Sequence, residues 1–286
     1  MELVPIMMYH GIYNMRDCDT KYTGGNVDRD GWQRTAESLK RDLEKYYSLG
    51  YRAIRLDDFL NGIIDVPKGL SPVILTFDDG IRNAVINGFD ENGEPVFSEG
   101  CAIDVLEKFK AAHPDFCTTA TFFLTENLFY QWGNNEAVMR WVLDHQYDIG
   151  NHTRNHRYLP NCSEREIEEE VGYMYSLFDR IIPGRYVNIV ALPYGGPKQM
   201  ESDGKYKRIM SGVFQGAPYI TKAALLCGWE GSLLPSAEGF DRTRVKRIHA
   251  YDNNGMDNDI QMNLDALENG RKYISDGTLC RKTERE

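Results

Sequence analysis

Short apolar runs and longer amphipathic stretches alternate along this chain. Runs at Val4–Tyr9, Ala53–Leu56, Val73–Phe77, Thr119–Leu124, Tyr147–Gly150, Val187–Leu192, Ala223–Cys227 and Val245–Ile248 are rich in β-branched and aromatic residues. Continuous apolarity over so few positions is the pattern of parallel strands buried on both faces. Between them, Gly31–Leu49 carries apolar residues at 39, 43, 46 and 49, and Ala102–Ala112 carries Ile103, Leu106 and Phe109. Glu136–Asp144 reads as a third helix. Ser163, with Glu166 three positions on, reads as a capping box opening a fourth helix to about Ile181. Met256–Ile274 reads as the last. Strand–helix alternation of this kind predicts an α/β fold: one domain over 1–286, a distorted (β/α) barrel of about seven parallel strands. Residues 11–31 and 81–101 read as long loops, the second directly behind a strand, where loops tend to carry function.

At 42% apolar and 27% charged residues the chain is of ordinary globular composition. Its formal charge of -10 argues against nucleic acid as the main partner, since phosphate binding needs a basic face. No apolar run approaches the roughly 18 residues of a transmembrane helix. The first eleven residues have no basic segment ahead of their apolar run, which reads as no signal peptide: a cytoplasmic protein, or one whose leader lies outside this chain. Six cysteines (18, 101, 117, 162, 227 and 280) include no C-x-x-C pair, so mostly free thiols are expected rather than a cysteine zinc site.

Polar groups follow the apolar runs directly. His10 follows Ile6-Met7-Met8-Tyr9. Asp78-Asp79-Gly80 follow Ile74-Leu75-Thr76-Phe77. His152-Thr153-Arg154-Asn155-His156 follow Ile149-Gly150-Asn151, and Pro193-Tyr194-Gly195 follow Ile189-Val190-Ala191-Leu192. In a parallel barrel the C-terminal strand ends open on one face, so these distant groups should converge. Two histidines and an aspartate could hold a divalent ion with open positions. The four-residue spacing of His152 and His156 would put both on one helical face. The plainer readings are a strand-ending Asp-Gly turn, a polar surface turn at the histidines and a tight turn at Pro193-Tyr194-Gly195. Tyr13, Tyr130, Trp132, Tyr158 and Trp229 could stack on sugars, though packing explains any one of them as well.

Thr76-Phe77-Asp78-Asp79-Gly80, His152-Thr153-Arg154-Asn155-His156 and Pro193-Tyr194-Gly195, in that order, resemble the motifs of the polysaccharide deacetylases (the NodB-homology domain, carbohydrate esterase family 4). The resemblance spans about residues 4 to 250. It implies a metal-dependent hydrolase acting on C–N bonds other than peptide bonds, which removes N-linked acetyl groups from an amino-sugar polysaccharide. Asp79, His152 and His156 would hold the metal, Zn²⁺ or another divalent transition ion. Asp78 would be the general base and the Tyr194 N–H an oxyanion donor. The implied partner is a carbohydrate polymer or oligomer, and the implied location extracellular or the cell envelope.

Two positions depart from the family's pattern. The third motif reads Ala191-Leu192-Pro193-Tyr194-Gly195, without the arginine that pairs with the base. Arg247 is the candidate replacement. The family's Asp/Trp motif has no clean match, Trp229 being the nearest aromatic. The opening Pro5–Ile12 resembles the branch in which the last motif is permuted to the N-terminus, which makes His10 the expected general acid and His249 the alternative. An O-acetyl esterase, a small-amide hydrolase, a non-catalytic carbohydrate-binding protein and a structural metal site stay open as other readings.

Overall fold

The computed structural model describes residues 2–17, 22–195, 204–254, 256 and 259–278. Its centre is an all-parallel sheet of β1 (Ile6–Tyr9), β2 (Tyr51–Ala53), β3 (Ser71–Phe77), β4 (Thr121–Leu124), β5 (Asp148–Asn151), β6 (Ile189–Ala191), β7 (Ala223–Leu225) and β8 (Ile248–His249). Seven strands run in the order β7-β6-β5-β4-β3-β1-β8, with β2 beside the start of β3. The edges meet. Leu225 and Val245 form a parallel bridge, Leu226 N–H donates to Val245 O at 2.9 Å, and Val245 N–H donates to Ala224 O at 2.9 Å. The sheet therefore curls back on itself as the expected distorted barrel.

Neighbouring residues of each strand serve different packing layers. Ile6, Ile74, Phe123, Ile189 and Ala223 join one buried cluster with the short helix α2 (Leu56–Leu60). Met7, Leu75, Phe77, Phe122 and Ile149 join another, beneath α1 (Ala36–Ser48), α3 (Ala102–Ala112) and α4 (Asn135–Asp144). Val190 and Ala224 pack under α5 (Glu164–Ile181) and α6 (Lys205–Met210). Both faces are covered, which explains the continuous apolar runs. A last helix, α7, spans Ile260–Glu268, shorter than the 256–274 read from the pattern.

The capping box forms as expected, with Ser163 N–H donating to Glu166 and Glu166 N–H to Ser163. The expected helix from Gly31 instead starts at Ala36 with Thr35 as its N-cap. Asp28 explains the difference: its carboxylate accepts the N–H groups of Trp32 and Gln33 at 2.9 and 2.7 Å and holds them in a loop. The expected loop 81–101 contains an antiparallel hairpin, Ile86–Phe89 with Pro95–Phe97. Its turn is closed by Asp90, which accepts from Asn92 and Glu94 N–H. Cys101, Cys117, Cys162 and Cys227 are free thiols; Cys18 and Cys280 lie outside the described residues. Among the described residues no helix is long and apolar enough to cross a membrane.

Candidate metal and acid–base site

Strand β3 ends at Phe77 and hands the chain to Asp78, Asp79 and Gly80 at the C-terminal end of the sheet. Asp79 (φ 72°) and Gly80 (φ 75°) are both left-handed, which turns the chain sharply. A Cβ on Gly80 would lie 2.0 Å from the carbonyl oxygen of Leu128, so only glycine fits there. The turn sends the two carboxylates to different partners.

Asp78 is fully buried and faces the equally buried Arg247. Arg247 Nη1 donates to Asp78 Oδ1 at 2.8 Å and Nη2 to Oδ2 at 2.7 Å, a bidentate pair. The same guanidinium donates to Thr76 Oγ1 and to the Leu226 carbonyl. Burial pushes the Asp78 carboxyl up; the Arg247 charge, then His152, the Arg247 hydrogen bonds and His10 outweigh it and hold it below the usual range. Arg247, just ahead of β8, is thus brought against Asp78 from far along the chain.

Asp79 Oδ1 lies 3.2 Å from His152 Nε2 and 3.4 Å from His156 Nε2. One ligand atom from each of the three residues falls within 4.8 Å of the others. His152 Nδ1 is 2.8 Å from the Ala191 carbonyl, to which it donates, so Nε2 is the nitrogen turned toward the carboxylates, whose charge favours the protonated ring against the opposing effect of burial. That nitrogen is buried without a hydrogen-bond partner, close to two carboxylates. Two imidazole nitrogens and a carboxylate oxygen crowded onto one point are donors that a divalent cation takes in place of a proton, so the set fits such an ion. Burial raises Asp79, but the close approach and charge of His152, then the charges of His10 and His156, hold it well below the carboxylate range.

The histidines do not share a helical face. Residues 152–156 form a loop, with Thr153 (φ 62°) and His156 (φ 53°) left-handed, and it is this folding back that brings the rings to 4.8 Å. The loop is held from outside the motif. Buried Glu170 of α5 accepts Asn155 N–H and Nδ2 at 2.8 Å each, and its carbonyl accepts Arg154 N–H. Asn151 Oδ1 accepts Thr153 N–H.

His10 sits at the end of β1, its carbonyl accepting from Asn83 Nδ2 at 2.9 Å. Burial lowers its pKa, while Asp78 and Asp79 favour its charged form. Tyr194 is left-handed (φ 58°) just beyond β6, with its ring edge-on to His156 at 4.8 Å. His10, Asp78, Asp79, His152, His156 and Tyr194 all line one cavity of about 440 Å³, within the size range of small-molecule sites. All six site residues read from the sequence therefore converge. His249 is not on that wall. It is buried, and burial followed by the His10 charge lowers its pKa to about 3.

Four residues on the wall carried no assignment from sequence: Asp28, Trp32, Gln33 and Cys227. Burial pushes the Cys227 thiol up to about 11 despite Arg247 beside it, so it is protonated. None of the five aromatics named from sequence lines the cavity; Trp32 does. Its signal was Asp28 four positions ahead, an Asx acceptor for a loop, rather than any helical period.

The fold and site together define an α/β barrel with a cation-type Asp-His-His cluster and an arginine-paired carboxylate at the C-terminal strand ends. Residues 65–201 match the family model described as polysaccharide deacetylase. A peptidoglycan-N-acetylglucosamine deacetylase of Bacillus cereus is 26% identical over 132 residues, 43% of this chain and 51% of that protein. The match thus spans about half of the curated relative's length. Among solved structures, a candidate polysaccharide deacetylase of Bacillus anthracis superposes with a TM-score of 0.59 at 19% identity, over 87% of this chain and 65% of that one. The Streptococcus pyogenes deacetylase PplD, solved with acetate, gives 0.57 at 17% identity, over 86% and 92%. At these identities the structural likenesses bear on the fold alone.

Proposed function

We propose that this protein is a metal-dependent hydrolase that removes N-linked acetyl groups from an amino-sugar polysaccharide. The observation that carries the reading is the split of adjacent carboxylates: Asp79 with the two histidines, Asp78 with Arg247. One geometry suits a metal ligand and the other a base kept ionised. Asp79, His152 and His156 would hold the ion, for which nitrogen and carboxylate donors make Zn²⁺ a natural choice. A divalent ion there would polarise the acyl carbonyl and lower the pKa of a water.

Asp78 then takes the proton of the attacking water, its orientation fixed by both Arg247 nitrogens. The Tyr194 N–H is the donor for the oxyanion that develops on the acyl oxygen. His10, lining the same cavity as His156 and Tyr194, delivers a proton to the departing amine. Its place on the cavity wall favours it over His249, consistent with a last motif permuted to the N-terminus. Site residues run from position 10 to 247, so we take 1–286 as one catalytic domain. The carbohydrate substrate, and an extracellular or cell-envelope setting, follow from the kinship with a peptidoglycan deacetylase. The test pairs metal content with acetate release: Asp78→Asn should retain the metal and lose turnover, whereas His152→Ala should lose both. Near-normal turnover by Asp78→Asn would remove Asp78 from the chemistry.

A further inference from the structure

Trp32 is the largest side chain on the cavity wall that this chemistry leaves unused. It is 36% exposed and lines the same cavity as Asp78, Asp79 and His156. One face of the indole rests on His249, with ring centroids 4.2 Å apart and planes 18° from parallel. His10 meets the indole edge-on at 4.9 Å. Tyr251 stacks against His249 in turn, at 5.8 Å and 16°. The indole is thus the open layer of a stack whose middle ring is buried.

The surrounding loop is built to hold that ring. Asp28 accepts the N–H of Trp32 and of Gln33, and Val27 N–H donates to Gln33 O at 2.8 Å. Gly31 is left-handed (φ 68°), and a Cβ there would meet the Tyr251 ring at 2.2 Å, so the residue before Trp32 must be glycine. The ordering cost of presenting an indole at the cavity is therefore met within the fold, before any ligand arrives.

A fixed apolar face bordering a carboxylate-lined cavity suits a ligand with a flat C–H face and a polar rim. A pyranose ring has that shape; a small acyclic acetyl compound does not. We propose that Trp32 is the sugar-stacking platform of this cavity and a determinant of specificity, seating an amino-sugar ring beside His10 and favouring acetyl groups carried on pyranose rings. This rests on the function proposed above.

The test uses metal-loaded wild type, Trp32→Ala and Trp32→Phe. Calorimetric titration with an N-acetylglucosamine tetramer reads binding. The ratio of kcat/KM on the tetramer to kcat/KM on ethyl acetate, an acetyl compound with no ring to stack, reads specificity. Trp32→Ala should weaken tetramer binding and lower the ratio, each by on the order of ten- to thirtyfold, from loss of one indole face. Trp32→Phe should recover most of both. Trp132→Ala, which alters a side chain outside the cavity, should change neither. Unchanged tetramer affinity in Trp32→Ala, an equal loss on both substrates, or no tetramer binding by wild type overturns the inference. Tight tetramer binding without turnover of either substrate would instead refute the deacetylase reading, and the titration would still decide the platform.

Discussion

Replacing Arg247 with methionine removes the cation beside Asp78 while keeping much of the side-chain volume. Both partners are essentially without solvent contact, and the guanidinium makes two bonds to the carboxylate and two more to Thr76 and Leu226. Breaking a buried pair from one side costs about 3–5 kcal/mol, because the remaining charge is left without its partner. The same loss appears in titration. Burial already pushes Asp78 upward and Arg247 is the largest opposing influence, so without it the carboxyl pKa should climb. A base must be deprotonated to work. In wild type the paired Asp78 stays ionised into the acidic range, whereas the unpaired carboxyl would take up its proton at a higher pH and stop serving as the proposed base there. The assay is kcat/KM for acetate release by metal-loaded enzyme between about pH 4.5 and 8, with urea unfolding of the same samples. The acid limb should move to higher pH in Arg247→Met, and less far in Arg247→Lys, which keeps the charge but not the fork. A folded, metal-loaded Arg247→Met whose acid limb coincides with that of wild type would refute the reasoning.

Three further outcomes follow from particular contacts. Gly80→Ala combines a left-handed backbone with a 2.0 Å approach to Leu128 O, and should cost roughly 1–3 kcal/mol or more, read as a lower Tm; an unchanged Tm contradicts the turn's geometry. Glu170→Ala frees the 152–156 loop and should weaken metal affinity about 10–100-fold by competition titration, with equal affinity arguing that Glu170 does not position His156. His249 is neutral in the folded protein with a pKa near 3, against 6.5 when unfolded. The unfolded chain therefore binds the extra proton as pH falls from about 6.5 towards 3, and stability drops by up to about 1.4 kcal/mol per pH unit in that window. His249→Phe should flatten that slope in urea titrations at several pH values, and an unaltered slope would assign the acid sensitivity elsewhere.

Much of this architecture was legible in the sequence because it is local. Apolar runs covered on both faces mark the strands, Ser163 with Glu166 marks the start of α5, and the polar residues just after four of the runs mark the cavity. What local pattern could not show depends on partners far along the chain. The fork between Arg247 and Asp78 joins residues 169 positions apart, and spacing alone made Arg247 only a candidate. The four-residue interval between His152 and His156 has the period of a helix, yet bonds from Glu170 and Asn151 fold it into a loop. Trp32 sits in a stretch of helical period, and a single carboxylate, Asp28, takes the N–H groups that a helix start would need. In the last two cases a side chain competes with the backbone pattern for the same N–H donors, and the period says nothing of the competitor.

The most direct test of the central claim is acetate release from N-acetylglucosamine oligomers, measured on the purified protein as loaded, after exhaustive chelation, and after return of one equivalent of Zn²⁺. The account predicts release that disappears with the chelator and comes back with zinc, and no recovery in His152→Ala. Release that persists in fully metal-free protein, or its absence from protein carrying one tightly bound ion per chain, would contradict it.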